Sequence, residues 1–203
     1  KGITAPNPEG QRLAVQRAIE DADIARETIS FIEAHGTSTA VGDVAEVNSL
    51  KSIFGGLPRN SIGLTSVKSQ IGHLKSAAGV AGVVKAAMAV KEKVLPPQIN
   101  FEKPNHYIKW EETPFYVITE PKEWNRIAPD IPRRCSVSAF GFGGTNFNVV
   151  LEEFDRDIYD AWKRSKDSKP EIIPESVPEM QVEPQEEIPV DMEGIRSYLE
   201  KEG

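Results

Sequence analysis

The sequence has 203 residues, of which 39% are hydrophobic and 27% are charged, and its formal net charge is −7. These values fit one globular domain, or one domain with an appendage. No uncharged apolar run reaches the roughly 18 residues of a membrane span, and an acidic chain without a basic stripe argues against nucleic-acid binding.

The cysteine content and the N-terminus indicate the setting of the chain. The lone Cys135 cannot form an intrachain disulfide or a cysteine-pair zinc site. It indicates a reducing compartment, and we expect a cytoplasmic protein. The first residues have no hydrophobic signal core and no initial Met, so we expect a piece of a longer protein.

The excess of negative charge lies at the C-terminal end. From Asp155 onward the chain has 14 acidic and 7 basic residues, with prolines spaced among glutamates. Such a composition is typical of an extended linker. We therefore predict a folded body over residues 1–154, an acidic linker over 155–190, and the start of a further segment over 191–203.

The apolar periodicity of residues 1–154 predicts alternating helices and strands. Asn7 is the expected cap of the first helix, with Pro8 at its first position, and Asp43 is the expected cap of the second. Helices are predicted over 9–22, 44–54 and from 76 onward, and strands over 29–34, 62–67, 115–119, 135–139 and 147–153. The order predicts an α/β fold whose mixed sheet ends in an antiparallel hairpin.

Two segments, FIEAHGTST and LTSVKSQIGH, share a pattern. Each is a short apolar strand, a histidine beside a glycine, and then a helix. Strands connected in this way tend to be parallel, and ligands gather at their carboxyl ends, so His35 and His73 are expected at one edge of the sheet. Such a pair can polarise a carbonyl and stabilise an enolate. The alternative is two unrelated turn histidines.

Other candidates lie near these histidines. Lys68 would keep the imidazoles neutral and support negative charge nearby, unless it is an ordinary surface lysine. A zinc site formed by both histidines with Asp43 or Glu46 is a further alternative, but the spacing matches no compact metal motif, and we predict no metal.

The glycine-rich loop at residues 141–146 lacks dinucleotide-binding spacing. Its glycines, Gly143 among them, would let backbone N–H groups approach a ligand. Phe142 could act as a gate or be a core aromatic residue. Cys135 is predicted to be an inert thiol inside a strand, and His106 is predicted to be structural.

Three motifs in order, EAHGTSTAVGDVAE, SVKSQIGHLKSAAGVAGVVK and SVSAFGFGGTNFNVVLEE, resemble a β-ketoacyl synthase of the thiolase superfamily. The resemblance covers residues 1–154. It implies a thiolase-like α/β fold, present here as an incomplete C-terminal half with a mixed sheet flanked by helices. The segments GTNF and PFYVITEPKEW look most similar to ketosynthases of polyunsaturated fatty acid synthases, with polyketide synthases close behind.

The resemblance implies decarboxylative condensation of an acyl-thioester with a malonyl-thioester in fatty acid or polyketide synthesis. His35 and His73 would match the two catalytic histidines and Lys68 the active-site lysine. Phe142 would match the gating phenylalanine. The family implies an acyl carrier protein as partner, a homodimer, and no directly bound cofactor. Phosphopantetheine would arrive on the carrier, its arm lined by two threonines, Thr37 and Thr39.

The chain also departs from the family. The nucleophilic cysteine belongs to an N-terminal half that this sequence lacks, so we expect the chain alone to be inactive. Gln70 stands where Asn is usual, and Asn148 where His is common. Without that half, we expect helix 79–89 and strands 135–139 and 147–151 to leave apolar and small side chains exposed. The alternative function is a non-catalytic dimerisation or docking module derived from a ketosynthase.

Overall fold

The structure, a computed structural model, describes residues 5–167, apart from the side chains of residues 142, 166 and 167. Its helices are α1 (Pro8–Asp21), α2 (Ala40–Phe54), α3 (Lys68–Ile71), α4 (Ala78–Glu92) and α5 (Arg156–Asp167). Its strands are β1 (Ile29–Glu33), β2 (Ile62–Thr65), β3 (Val94–Leu95), β4 (Phe115–Val117), β5 (Lys122–Glu123), β6 (Arg134–Phe140) and β7 (Asn146–Glu152).

Five strands form one mixed sheet in the order β4-β2-β1-β6-β7. The first four are parallel, and β7 returns antiparallel to β6 at the edge. The predicted α/β class, mixed sheet and terminal hairpin are therefore confirmed. Sequence analysis did not predict the two-stranded sheet of β3 and β5, because strands of two residues have no detectable periodicity.

The sheet has an apolar core on each face. One core includes Val15 of α1 and Leu50 of α2, packed against β1 and β2. The other includes Ala86 and Ala89 of α4, packed with Phe31 and Trp124. Because both faces are covered, the central strands read as continuous apolar runs.

Small residues let α4 approach the sheet closely, as their clustering predicts. A Cβ atom at Gly82 would lie 3.2 Å from Val137 Cγ1 on β6. One at Gly79 would lie 3.2 Å from the Cβ atom of Ala139. Close packing therefore offsets the roughly 1 kcal/mol that a glycine costs inside a helix.

Two helix starts test the predicted caps. At α1, Asn7 Oδ1 accepts a hydrogen bond from the Gly10 N–H group at 3.2 Å, as predicted. At α2 the prediction was wrong: the helix begins at Ala40, and the Thr39 hydroxyl accepts from the Gly42 N–H group at 3.1 Å. Asp43 lies inside the first turn, where its carboxylate accepts from the Ser38 N–H group.

The end of the body differs from the prediction. The predicted linker begins at residue 155, but residues 156–167 form α5. The prediction emphasised charge and proline content and overlooked the helical spacing of three apolar side chains, Ile158, Tyr159 and Trp162. The first proline of the tail is Pro170. Residues 168–203, and with them the rest of the predicted linker and the following segment, lie outside the described residues.

The structure also tests the prediction that helix 79–89 and strands 135–139 and 147–151 leave apolar side chains uncovered. Strand β6 is covered, since Cys135 and Val137 are buried, so that part of the prediction was wrong. Helix α4 and strand β7 do present exposed apolar side chains, with Val80 67% and Phe147 66% exposed. No helix in the part of the chain that the structure describes is long and apolar enough to cross a lipid bilayer.

Candidate active site

The candidate site lies at the carboxyl ends of β1, β2 and β6. His35 follows β1 by two residues, and Lys68 begins the helical turn α3 shortly after β2. His73 comes directly after that turn and its closing residue, Gly72, whose φ is +73°. Neighbouring parallel strands thus place three predicted side chains at one edge, since ligand sites form where such strands end.

The two histidine rings pack edge to face there. Their centroids are 5.6 Å apart, and the ring planes meet at 83°. His35 is half-buried, whereas His73 is exposed in this chain. The structure therefore brings together the two histidines that sequence analysis placed at one sheet edge.

Backbone N–H groups determine the tautomer of each ring. The Phe140 N–H group donates to His35 Nδ1 at 3.3 Å, and the Lys75 N–H group donates to His73 Nδ1 at 3.1 Å. A neutral imidazole whose Nδ1 accepts a hydrogen bond carries its proton on Nε2. Both rings are thereby set as Nε2–H donors.

The surroundings also keep both rings neutral. Burial, the positive charge of Lys68, and His73 lower the pKa of His35 to about 4. Burial and two lysines, Lys68 and Lys75, likewise lower the pKa of His73. Lys68 is itself half-buried; burial lowers its pKa, while two carboxylates, Glu46 and Glu33, act in the opposite direction. These rings can therefore donate hydrogen bonds at neutral pH without being cationic.

Glu46 supports the backbone beneath His35. One carboxylate oxygen accepts from the His35 N–H group at 2.8 Å and the other from the Gly36 N–H group at 2.9 Å. The side chain is buried, and burial raises the pKa of Glu46 to about 7, against the effect of these hydrogen bonds. Sequence analysis considered Glu46 only as a metal ligand, although its place one helical turn after Asp43 could have indicated an inward-facing residue of α2.

The metal alternative finds no support in this geometry. Both Glu46 oxygens face backbone N–H groups, and Asp43 binds the Ser38 N–H group. Among the side chains that the structure describes, no group of three or more His, Cys, Asp or Glu residues is placed to hold a metal ion.

The predicted substrate-binding residues lie on two loops of the same edge. Thr37 is half-buried, and Thr39 is exposed with its hydroxyl capping α2. Gly143 is exposed in the turn between β6 and β7, where its φ of +73° favours glycine. The side chain of Phe142 is outside the described set.

A cavity of about 530 Å³ opens beside the first of these loops, the one that follows β1. Its lining includes Thr39, Ser66, Gln98 and Asn100 at polar positions, with Leu64 among its apolar ones. Gln98 Oε1 accepts from the Ser66 N–H group at 2.7 Å, which joins the long loop after β3 to the end of β2. The candidate site is thus bordered by open space.

Cys135 does not belong to this site. It is fully buried inside β6, and burial raises the pKa of its thiol to about 12. A thiol with this pKa has almost no thiolate at neutral pH, so it cannot serve as a nucleophile. This agrees with the prediction of an inert buried cysteine. His106 stacks on Tyr107, with ring centroids 3.9 Å apart, and lies on the cavity wall.

Together the site presents two neutral N–H donors, a lysine and a buried carboxylate. Paired donors of this kind stabilise negative charge that develops on an oxygen, and each is worth roughly 3–4 kcal/mol of transition-state stabilisation. Acyl transfer and enolate formation are the reactions that need such a site.

Comparison with known proteins identifies the family. The model of the β-ketoacyl synthase C-terminal domain matches residues 1–102, and that of the ketoacyl-synthetase C-terminal extension matches residues 104–181. Polyketide synthase PksN of Bacillus subtilis is 40% identical over 185 residues, or 85% of this chain and 3% of that protein. Erythronolide synthase EryA3 of Saccharopolyspora erythraea is 40% identical over 154 residues, or 75% of this chain and 5% of that protein.

Solved structures agree with this assignment. Ketosynthase twelve of the bacillaene polyketide synthase of Bacillus amyloliquefaciens matches with a TM-score of 0.72 and 39% identity. The module 6 ketosynthase of the bacillaene synthase of Bacillus subtilis matches with a TM-score of 0.72 and 40% identity. Each match covers 76% of this chain and 28% of the solved chain, so the chain spans less than a third of these ketosynthases. The chain has the thiolase-like fold of these neighbours and belongs to the β-ketoacyl synthase family as a C-terminal ketosynthase domain.

Proposed function

We propose that this chain provides the histidine-bearing part of a ketosynthase that performs decarboxylative Claisen condensation in polyketide synthesis. The observation that carries the proposal is the pair of imidazoles packed edge to face, with ring centroids 5.6 Å apart and each Nδ1 bound to a backbone N–H group. Lys68 is the third proposed catalytic residue. The complete ketosynthase that would contain this sequence is called the parent enzyme below.

In the proposed reaction, a malonyl-thioester loses CO₂, and the electrons of the broken C–C bond form an enolate. His35 and His73 donate their Nε2–H groups to the developing oxyanion. The enolate carbon then attacks an acyl group held as a thioester on a cysteine. A C–C bond forms, the C–S bond breaks, and the thiolate leaves.

The acylated cysteine of this scheme lies outside the sequence. Cys135 cannot take its place, since it is buried and its thiol pKa is raised by that burial. The proposal therefore includes an N-terminal ketosynthase half that supplies the nucleophile, and the isolated chain is expected to be inactive. Groups that act as a unit do not recover activity piecemeal.

The remaining partners follow from the same proposal. An acyl carrier protein would deliver both thioesters on its phosphopantetheine arm, with Thr37 and Thr39 beside the arm, and Phe142 and Gly143 would gate access. The parent enzyme would be a cytoplasmic homodimer. Relatives named as polyketide synthases favour a polyketide product, with fatty acid or polyunsaturated fatty acid synthesis as the alternative.

A second candidate function, a non-catalytic docking module, draws on the exposed apolar side chains of α4 and β7, including Val80 and Phe147. It requires no chemistry of the histidines. The two functions therefore differ in one expected result: loss of an imidazole should lower the reaction rate only if the histidines are catalytic.

The test is replacement of each imidazole in the parent enzyme. His35→Ala and His73→Ala should each slow malonyl decarboxylation and condensation by about 10²-fold or more, because each removes one oxyanion donor. Tyr159→Ala is the control, since it removes an exposed aromatic ring of α5, away from the site. Near-parent rates in both site variants, with unchanged melting temperatures, would overturn the catalytic proposal and leave the docking module.

A further inference from the structure

A buried ion pair lies directly beneath the candidate site. Glu33 is the last residue of β1 and is 1% exposed. Its Oε2 atom lies 2.9 Å from Nζ of Lys85 on α4, whose side chain is 9% exposed. Neither residue touches the reacting groups, and the proposed chemistry does not use them.

A hydroxyl and a backbone group complete the network. Lys85 Nζ donates to Thr65 Oγ1 at 2.7 Å, and that hydroxyl donates to Glu33 Oε2 at 2.9 Å. The other carboxylate oxygen, Oε1, accepts from the Val67 N–H group. Hydrogen bonds thus satisfy both carboxylate oxygens, and this is what buried charges require.

The network joins the segments that carry His35 and Lys68 to the helix that follows His73. Glu33 precedes His35 by two residues, and Val67 immediately precedes Lys68. Lys85 belongs to α4, the helix that follows His73 and the short turn after it. One carboxylate therefore fixes the ends of β1 and β2 against the helix that follows the second histidine.

Helix α4 also packs closely against the Glu33 side chain. A Cβ atom at Gly82, one turn before Lys85, would lie 3.3 Å from Glu33 Cγ. The helix backbone thus rests directly on the Glu33 side chain, and a displacement of one moves the other.

We propose that Glu33, Lys85 and Thr65 form a positioning network that sets the distance and orientation of His35 relative to His73. This inference rests on the proposed function of the two histidines. A buried ion pair often adds little net stability compared with an apolar pair of similar size, so positioning is the better account of its presence. A displacement of about 1 Å at such a site can cost 10²-fold in rate.

The experiment uses the parent enzyme and the double variant Glu33→Gln/Lys85→Met. This variant removes both charges together and leaves neither one buried alone. We expect kcat for malonyl decarboxylation to fall by about tenfold or more while KM changes by less than about threefold, because positioning acts on the transition state.

The matched control is Arg133→Met/Glu153→Gln. This pair is also buried, with Nη1 and Oε1 2.8 Å apart, but it lies at the opposite end of β6 from Phe140. Its removal should lower the melting temperature at least as much as removal of the Glu33–Lys85 pair and leave kcat unchanged. Equal kcat values in the two double variants would overturn the inference.

A milder substitution keeps the test decisive if the double variant does not fold. Thr65→Val removes only the bridging hydroxyl and should lower kcat several-fold, while Thr65→Ser should recover most of that loss. A parent-like kcat for Thr65→Val would count against the network. His35→Ala, measured alongside, tests the proposed function itself. If this variant keeps the parent rate, the proposed catalytic function is contradicted. If it lowers the rate and the network variants do not, only the proposed positioning network is contradicted.

Discussion

At the level of single residues, hydrogen bonds from the backbone define this site. The N–H groups of Phe140 and Lys75 orient the two imidazoles, and Glu46 holds the backbone that carries His35. None of these supporting contacts is visible in sequence spacing. The two histidines could be predicted because each follows a strand and adjoins a glycine. The position of Glu46 on α2 could indicate only an inward-facing residue, and not its hydrogen bonds to the backbone.

Glu46 gives a prediction about pH. Burial raises the pKa of Glu46 to about 7 from its ordinary value of 4.5, so the folded state binds a proton more tightly than the unfolded state. The stability from this proton is present below pH 4.5 and is lost as the pH rises through 7. In the parent enzyme, the stability advantage of Glu46 over Glu46→Gln should therefore shrink between pH 5 and pH 8.

Thermal or denaturant unfolding of the two proteins across that range measures the effect. Glu120→Gln, which changes an exposed carboxyl group, is the control and should follow the parent curve. A difference between parent and Glu46→Gln that stays constant or grows with pH would contradict the assignment of a raised pKa.

At the level of elements, helix α4 has two contrasting faces. Its glycines and alanines pack on β6 and the central core. Its other face leaves Val80 67%, Val84 58% and Met88 49% exposed. Phe147 and Val149 of β7 are exposed as well, at 66% and 44%. Apolar side chains grouped in this way usually mark a surface that another segment covers.

We therefore predict that the isolated chain associates with itself or aggregates, and that the proposed N-terminal ketosynthase half suppresses this association when co-expressed. The double variant Val80→Glu/Val84→Glu should reduce association because it places charge within the apolar face. Ile127→Glu is the control, since Ile127 is exposed at 55% in the loop between β5 and β6.

Light scattering and binding of a hydrophobic dye report the outcome. Association that is lowered by the α4 variant and unchanged in the control supports the account. A stable, monodisperse monomer of the unaltered chain that binds no dye would show that this face needs no cover.

The elements also show how much of the secondary structure could be predicted from sequence patterns. Long periodic segments such as α1, α4, β6 and β7 could be predicted within a few residues, because apolar spacing and caps determine them. The start of α2 was misplaced by four residues, since Asp43 was the expected cap and the Thr39 hydroxyl caps the helix instead. We predicted segment 156–167 to be linker because most of its residues are charged or polar, and this composition outweighed the helical spacing of Ile158, Tyr159 and Trp162.

At the level of the whole molecule, the strand order of the sheet brings the residues of the site together. Neither histidine is near the other in sequence, and the parallel pairing of β1 with β2 brings them together. The pairing of β1 with β6 adds Phe140, whose N–H group orients His35. Sequence analysis predicted the common edge, but the tautomer of His35 depends on this three-strand arrangement, and that of His73 depends on the local turn that brings the Lys75 N–H group to its Nδ1 atom.

The central claim is that two neutral imidazoles present Nε2–H groups to one developing oxyanion. Long-range ¹⁵N–¹H correlation spectra of the parent enzyme, labelled with ¹⁵N-histidine, test it most directly. At pH 7 we predict that His35 and His73 both carry a proton on Nε2 alone, and that His35 stays neutral to about pH 5 because its pKa is lowered to about 4. An imidazolium at either position at pH 7, or a proton on Nδ1 alone, would contradict the account.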